Sequence, residues 1–389
     1  MTPVTVPGVR TVTLVLVGPA GDVLGATEPF AVATPWWQEV GEIVERTGVQ
    51  VLRLLHGDRP TPPGGHVTYL AETRRPPVEL APVTIDLGPD PRRAPYAEVG
   101  GPAATVDWAA GMVPDATAHQ QRTWNLSAIW RLDDPTGTPI AWVKQVPPFF
   151  AHEPVALRLV DQVVPGLVPA LPAVGPAGRM VLRHVPGIDG YDAGPDVCAR
   201  IAAAFHPVQE HFAGRTEPLA AAGVPDGRRL PLGFASRFRP SIAGLDELIE
   251  DLPRRLAAVA GCGLPDTLVH GDLHPGNVRI GPDGGLTIMD WGDCVIGNPT
   301  YDILRLVERL DDPEPILSAW ADRWRASVPG SDPRRAAELL RPVAALRAAA
   351  VYAAFLDAIE PAEHPYHAAD VPACLASAVA AARSATAIS

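Results

Sequence analysis

The sequence predicts a mixed α/β (α+β) protein, with strands concentrated in its first half and helices in its second, and three observations carry that reading. Short apolar, β-prone runs recur at 11–17, 49–55, 66–71, 124–132 and 140–144, with one helix-like stretch among them at 36–47. Two further apolar runs, 278–280 and 286–289, flank Gly281-Pro-Asp-Gly-Gly285, a turn sequence of the kind that closes a hairpin. Beyond Asp302 the chain reads as alanine-rich helices broken at Pro313, Pro315, Pro329, Pro333, Pro342 and Pro361.

With 389 residues and 47% hydrophobic content, the chain exceeds one ordinary domain and predicts two or three compact units. Residues 1–75 read as a small α/β module. Residues 76–102 read as a linker, because seven prolines and three glycines fall within those 27 residues. Inside the module, Gly41-Glu-Ile-Val-Glu-Arg-Thr-Gly-Val49 is similar to the second half of the Nudix box, with Gly41 and Arg46 where that box has an arginine and a metal-binding glutamate. The resemblance implies a degenerate Nudix-like module, a scaffold or substrate cover that lacks the carboxylate cluster of a pyrophosphate hydrolase. An amphipathic helix between unrelated strands is the alternative.

The chemistry is written in His270-Gly-Asp272-Leu-His274-Pro-Gly-Asn277, followed after the hairpin by Asp290-Trp-Gly292. Folding the hairpin brings Asn277, just before its first strand, beside Asp290, just after its second. An amide oxygen and a carboxylate at one hairpin mouth suit magnesium, which takes oxygen ligands and leaves the rest of its octahedron to phosphate and water. Asp272 lies five residues upstream in a segment that Pro275 and Gly276 keep from regular helix. It can project into the same cavity as the base that orients a hydroxyl. The pattern H-x-D-x-x-x-x-N then D-x-G is that of ATP-dependent phosphoryl transfer, with ATP as donor and GTP left open. His270 and His274 have a zinc-like i, i+4 spacing, but the Pro-Gly pair opposes a helix there, and His270 reads as a hydrogen-bonding brace.

These residues resemble the catalytic core of the aminoglycoside phosphotransferase and choline kinase-like family, small-molecule relatives of the protein kinases. Gly297-Asn-Pro-Thr-Tyr-Asp302 extends the resemblance, with Asn298 where the family usually has aspartate. The family implies a bilobal, protein kinase-like fold: an N-lobe and hinge over 103–188, and a mainly helical C-lobe over 189–389 that holds the catalytic loop and acceptor pocket. Asp302 then corresponds to the buried aspartate that braces the loop; a helix N-terminal acid is the other reading. Lys144, the only lysine in the chain, would contact the phosphates, with Glu153 as its partner. Neither a Walker motif nor a glycine-rich fingerprint is present, so Thr123 and Asn125 in the stretch 121–125 become the candidates for cradling the phosphates. Residues 179–187 resemble the hinge, and 199–206 the helix packed under the loop.

The net charge of −12 argues against a nucleic-acid partner. The partners expected are ATP and a small hydroxylated acceptor: an aminoglycoside-like antibiotic, an amino sugar or an amino alcohol. Glu308, Asp311, Asp312 and Glu314 could attract a cationic acceptor or simply be solvated. Four dispersed cysteines imply neither disulfides nor a zinc cluster, no membrane span is expected, and a reducing cytoplasm fits. The sequence does not indicate an oligomeric state. A catalytically silent kinase-fold sensor is the rival reading, and a hydrolase activity of the N-terminal module is a third.

Overall fold

The structure, a computed structural model, describes residues 9–386, so the outermost residues of the first and last expected segments lie outside it. The chain forms two compact units. One comprises Met1–Ala151, Leu171–His184 and Ala354–Ala369; the other comprises His152–Ala170, Val185–Ala353 and Asp370–Ser389.

The first unit begins with a five-stranded sheet of β1 (Arg10–Val17), β2 (Val23–Ala26), β3 (Phe30–Val32), β4 (Gln50–Gly57) and β5 (His66–Glu72). The order is β2-β1-β5-β4 with β3 also on β1, and only β1 and β5 run parallel. Strand alternation sorts β1 between two cores. Val12, Leu14 and Leu16 join Trp37, Ile43 and Tyr69, whereas Val15 and Val17 join Leu52 and Leu70. The proline-rich segment covers the second face with Val83, Ile85, Leu87 and Val99 instead of hanging as a free tether.

The helix expected at 36–47 is shorter: α1 spans Gly41–Thr47. Trp37 is buried with its indole N–H donating to Gly64 O at 2.7 Å, and Glu39 forms a β-bridge with Arg122. Those two anchors hold 36–40 out of helical conformation.

The unit continues through α2 (Gly101–Met112) into a second five-stranded sheet of β6 (Thr117–Trp124), β7 (Ser127–Asp133), β8 (Pro139–Gln145), β9 (Ala173–Val174) and β10 (Arg179–Arg183), in the order β6-β7-β8-β10-β9. The single strand expected at 124–132 is instead split by a turn at Asn125 and Leu126, and residues 121–124 belong to β6. A long-range pairing explains this. The Gln120 side chain accepts from Val51 N at 2.9 Å and donates to Val51 O at 2.8 Å, fixing β6 as extended chain against β4.

Residues Ala354–Ala369, expected with the helical C-terminal region, fold into this unit. Tyr366 enters its core beside Trp37 and Trp124. Glu360 meets Arg93 at 2.8 Å and Arg53 at 3.7 Å. Next to them Glu363 is buried, and burial, reinforced by the Glu360 charge, pushes its carboxyl from 4.5 up to about 8. A carboxyl that keeps its proton when folded but loses it when unfolded contributes most below the lower value, and the contribution falls as pH rises between the two, by about 1.4 kcal/mol per pH unit. Glu363→Gln is therefore expected to flatten the loss of stability between pH 5 and pH 8. Urea midpoints at the two pH values test this, and an unchanged slope in the variant would count against it.

The second unit contains α3 (Glu153–Val163), β11 (Ile188–Asp189), α4 (Pro195–Phe212), α5 (Thr216–Ala222), α6 (Leu245–Gly261), β12 (Thr267–Val269), β13 (Val278–Ile280), β14 (Leu286–Ile288), β15 (Val295–Gly297), α7 (Thr300–Leu306), α8 (Glu314–Ser327), most of α9 (Pro333–Ala358) and α10 (Asp370–Thr386). Strands β11, β13 and β14 make one small sheet, and β12 and β15 another. Helix α4 buries Ile201, Phe205, Val208 and Phe212, a helical repeat, and packs on α8 and β12. Pro342, expected to break a helix, lies inside α9. Its neighbours Leu340, Val343 and Leu346 are buried, and their packing holds the helix together against one lost hydrogen bond. By length and composition α9 could cross a membrane, but half of its most apolar window is buried within the protein.

Candidate active site

The loop 270–277 hangs between β12 and β13, and each end is fixed by a strand pair. β12 pairs with β15, while β13 and β14 form the expected hairpin in the register Val278↔Ile288 and Ile280↔Leu286. The turn closes through Gly281 N to Gly285 O at 2.8 Å. At the open mouth, Met289 N donates to Asn277 O at 2.7 Å, which sets Asn277 directly across from the residue before Asp290. Asp290 itself adopts a φ of 60°, a left-handed conformation that costs a non-glycine residue energy and tends to occur where function requires it.

Three groups converge on the Asp272 carboxylate. Arg305 Nε donates to Oδ1 at 2.7 Å, Asn277 Nδ2 donates to Oδ2 at 3.2 Å, and His274 Nε2 faces Oδ2 at 3.5 Å. Gly276 N–H donates to His274 Nδ1 at 3.0 Å, so the proton sits on the nitrogen facing Asp272. Burial alone would raise the Asp272 carboxyl, but the His274 hydrogen bond and the Arg305 charge outweigh it and hold the group well below the usual carboxylate range. The Asn277 amide also donates to Asp272 O at 3.0 Å. With its nitrogen committed twice, its oxygen is the end left for a cation.

The backbone of the loop is held from beneath. Asp302 on α7 is buried and accepts from His270 N at 2.9 Å, Gly271 N at 3.0 Å and Gln209 Nε2 at 2.9 Å. Burial pushes its carboxyl up to about 7, with the two backbone amides acting in the opposite direction. Gly271 has a φ of 88°, and a Cβ there would lie 2.1 Å from Asp293 O, so only glycine fits. His270 is fully buried; its Nε2 donates to Met289 O at 2.9 Å and its Nδ1 accepts from Asp272 N at 3.3 Å. It ties the loop to the end of the hairpin as a neutral ring, since burial lowers its pKa. Asn298 accepts from Thr300 N at 3.0 Å and shapes the entry to α7 without needing a charge.

The remaining sequence candidates lie as follows. Glu153 is buried at the start of α3 and accepts from Trp291 N at 3.3 Å, anchoring that helix next to Asp290. Lys144 is a buried residue of β8, in register with Ile129 on β7 and Met180 on β10. Thr123 and Asn125 are not presented for phosphate binding. Thr123 Oγ1 faces Leu52 O at 3.5 Å, and Asn125 Oδ1 pairs with His367 Nε2 at 2.8 Å, both inside the first unit. Tyr366 and His367 pack on Trp124 at the end of β6, and His367 holds the Asn125 side chain inward. Of the acids that might attract a cation, Glu308 is paired with Arg305, Glu314 with Arg334 at 2.5 Å, and Asp312 accepts from Glu314 N at 3.1 Å. Among the described residues no group of three or more His, Cys, Asp or Glu is placed to hold a metal ion. An amide oxygen at Asn277 and a carboxylate at Asp290 are both hard oxygen donors, the ligand type magnesium takes.

Sequence reasoning missed Arg305, Gln209 and Tyr352. Tyr352 is a half-buried phenol on α9, raised above its ordinary range by desolvation and by the charges of Asp370 and Asp272. Only Arg305 had a local signal, one helical turn after Asp302.

Comparison with known proteins identifies the fold and the family. Among solved structures, the chain is similar in fold to an ethanolamine kinase from Plasmodium vivax (TM-score 0.53, 9% identity, covering 70% of this chain and 86% of that one). It is also similar to the choline kinase LicA from Streptococcus pneumoniae (0.51, 12%, 72% and 99%) and to a choline kinase from Cryptosporidium parvum (0.51, 10%, 73% and 96%). No curated protein matches the chain. Residues 139–339, which carry the loop, the hairpin and α7, match the model of the phosphotransferase enzyme family. The chain belongs to that family, and its fold is the α/β, protein kinase-like fold.

Proposed function

We propose that this protein transfers the γ-phosphate of ATP to a hydroxyl of a small molecule. The observation that carries the reading is the hairpin mouth, where Asn277 donates to the Asp272 carboxylate through Nδ2 and accepts through its backbone oxygen from Met289 N, the residue before Asp290. In this reading Asp272 orients the acceptor hydroxyl and takes its proton as the new O–P bond forms and ADP departs. Asn277 and Asp290 would hold magnesium, which when bound neutralises charge on the transferring phosphoryl group. Lys144 is assigned to the phosphates, and Glu153 steadies the segment after Asp290 through the Trp291 amide. His270 and Asp302 support the loop. Thr123 and Asn125, engaged elsewhere, are not assigned to the phosphates.

The acceptor is an aminoglycoside-like antibiotic, an amino sugar or an amino alcohol. The four cysteines are free thiols, which fits a reducing cytoplasm. The test is ADP release from ATP and magnesium with and without kanamycin, glucosamine, choline, ethanolamine and homoserine, using Asp272→Ala as control. Acceptor-stimulated turnover lost in the variant supports the transfer. Nucleotide binding without turnover for any acceptor would favour the silent sensor.

A further inference from the structure

We infer that Arg305 is a positioning residue that holds the Asp272 carboxylate at the angle phosphoryl transfer needs, an inference that rests on the function proposed above. Helix α7 grips the loop twice within one turn. Asp302 takes the backbone amides of His270 and Gly271, and Arg305, three residues on, reaches the side chain of Asp272 through Nε at 2.7 Å. Asn277 Nδ2 holds the other carboxylate oxygen at 3.2 Å. Arg305 on Oδ1, and Asn277 with His274 on Oδ2, fix the plane of the carboxylate, which a single donor cannot do, and leave the second lone pair of Oδ1 to face an acceptor hydroxyl. Glu308 on the next turn accepts from Arg305 Nη1 and keeps the guanidinium from swinging away.

The pair is about one third exposed, with 30% for Arg305 and 35% for Asp272, and exposed ion pairs contribute little to stability. Its geometry is directional nonetheless, because an Nε–H lies in the guanidinium plane while an ammonium has no such plane. During transfer the acceptor O–H bond breaks, its proton passes to Asp272, its oxygen bonds to the γ-phosphorus, and the bond from that phosphorus to the bridging oxygen of ADP breaks. Arg305 touches none of these atoms and acts only through Asp272.

The experiment compares wild type, Arg305→Met, Arg305→Lys and Asp272→Ala by steady-state kinetics, with ATP, magnesium and whichever of the five acceptors named above is turned over. Arg305→Met is expected to lower kcat on the order of 10–100-fold, the cost of a misplaced reacting group, with KM for ATP and acceptor within about 2-fold. Partial recovery in Arg305→Lys, or on adding guanidinium to Arg305→Met, supports positioning. A raised acceptor KM at unchanged kcat would make Arg305 a binding residue, and increased turnover would make it a gate. Either result, or wild-type kinetics in Arg305→Met, overturns the inference. Absence of any wild-type turnover that Asp272→Ala abolishes is a different failure, because it removes the proposed function itself and this inference with it.

Discussion

Asp302→Ala is expected to destabilise the second unit by roughly 3–5 kcal/mol and to abolish organised structure in the loop 270–277. The carboxylate is the acceptor for three donors: the amides of His270 and Gly271 and the side chain of Gln209. Alanine leaves all three without an acceptor, two of them where water is excluded, since His270 is fully buried and Gln209 nearly so, while Gly271 is half-buried. An unsatisfied buried donor costs about 1–3 kcal/mol, and the terms share one network, so the total falls short of a simple sum. Asp302→Asn should lie between, because its amide keeps one acceptor oxygen but turns an N–H₂ toward another donor. Denaturant midpoints and hydrogen exchange at His270 and Gly271 are the measurements. If Asp302→Ala kept wild-type exchange protection there, the helix would not be what holds the loop.

Asp272→Ala is expected to reduce acceptor-stimulated turnover on the order of 10²–10⁴-fold, the range usual for loss of a positioned acid or base, while the fold is retained. The side chain is partly exposed, and its removal releases Arg305 and Asn277 toward solvent instead of stranding them in a core. KM for ATP should change little, because this carboxylate acts on the acceptor. Asp272→Asn separates geometry from chemistry. It keeps an oxygen for Arg305 but cannot take the proton, so it should be nearly as inactive as alanine. Turnover within about 2-fold of wild type in both variants would sink the assignment, given that loss of a working base is far larger.

Much of the candidate site was legible because its parts are close in sequence. A five-residue turn between two β-prone runs sets the hairpin register, and the register alone brings Asn277 and the residue before Asp290 together. The brace at Asp302 was legible only by resemblance, since its role depends on partners at Gln209, His270 and Gly271 that no local rule identifies. The phosphate-cradling assignment of Thr123 and Asn125 failed to anticipate their burial for the same reason. What draws Asn125 inward is His367, 242 residues later in the chain.

By itself the sequence determined the mixed α/β class and the hairpin register, because short-range turn chemistry and alternation leave few choices over some twenty residues, and its loop motif carried the resemblance to the family. Tertiary structure alone decided which charges meet. It set Arg305 on Asp272, paired Glu314 with Arg334, and folded residues Ala354–Ala369 into the first unit. Those outcomes depend on desolvation and on contacts between segments far apart in the chain, and such contacts leave no periodicity in the sequence from which they could be read.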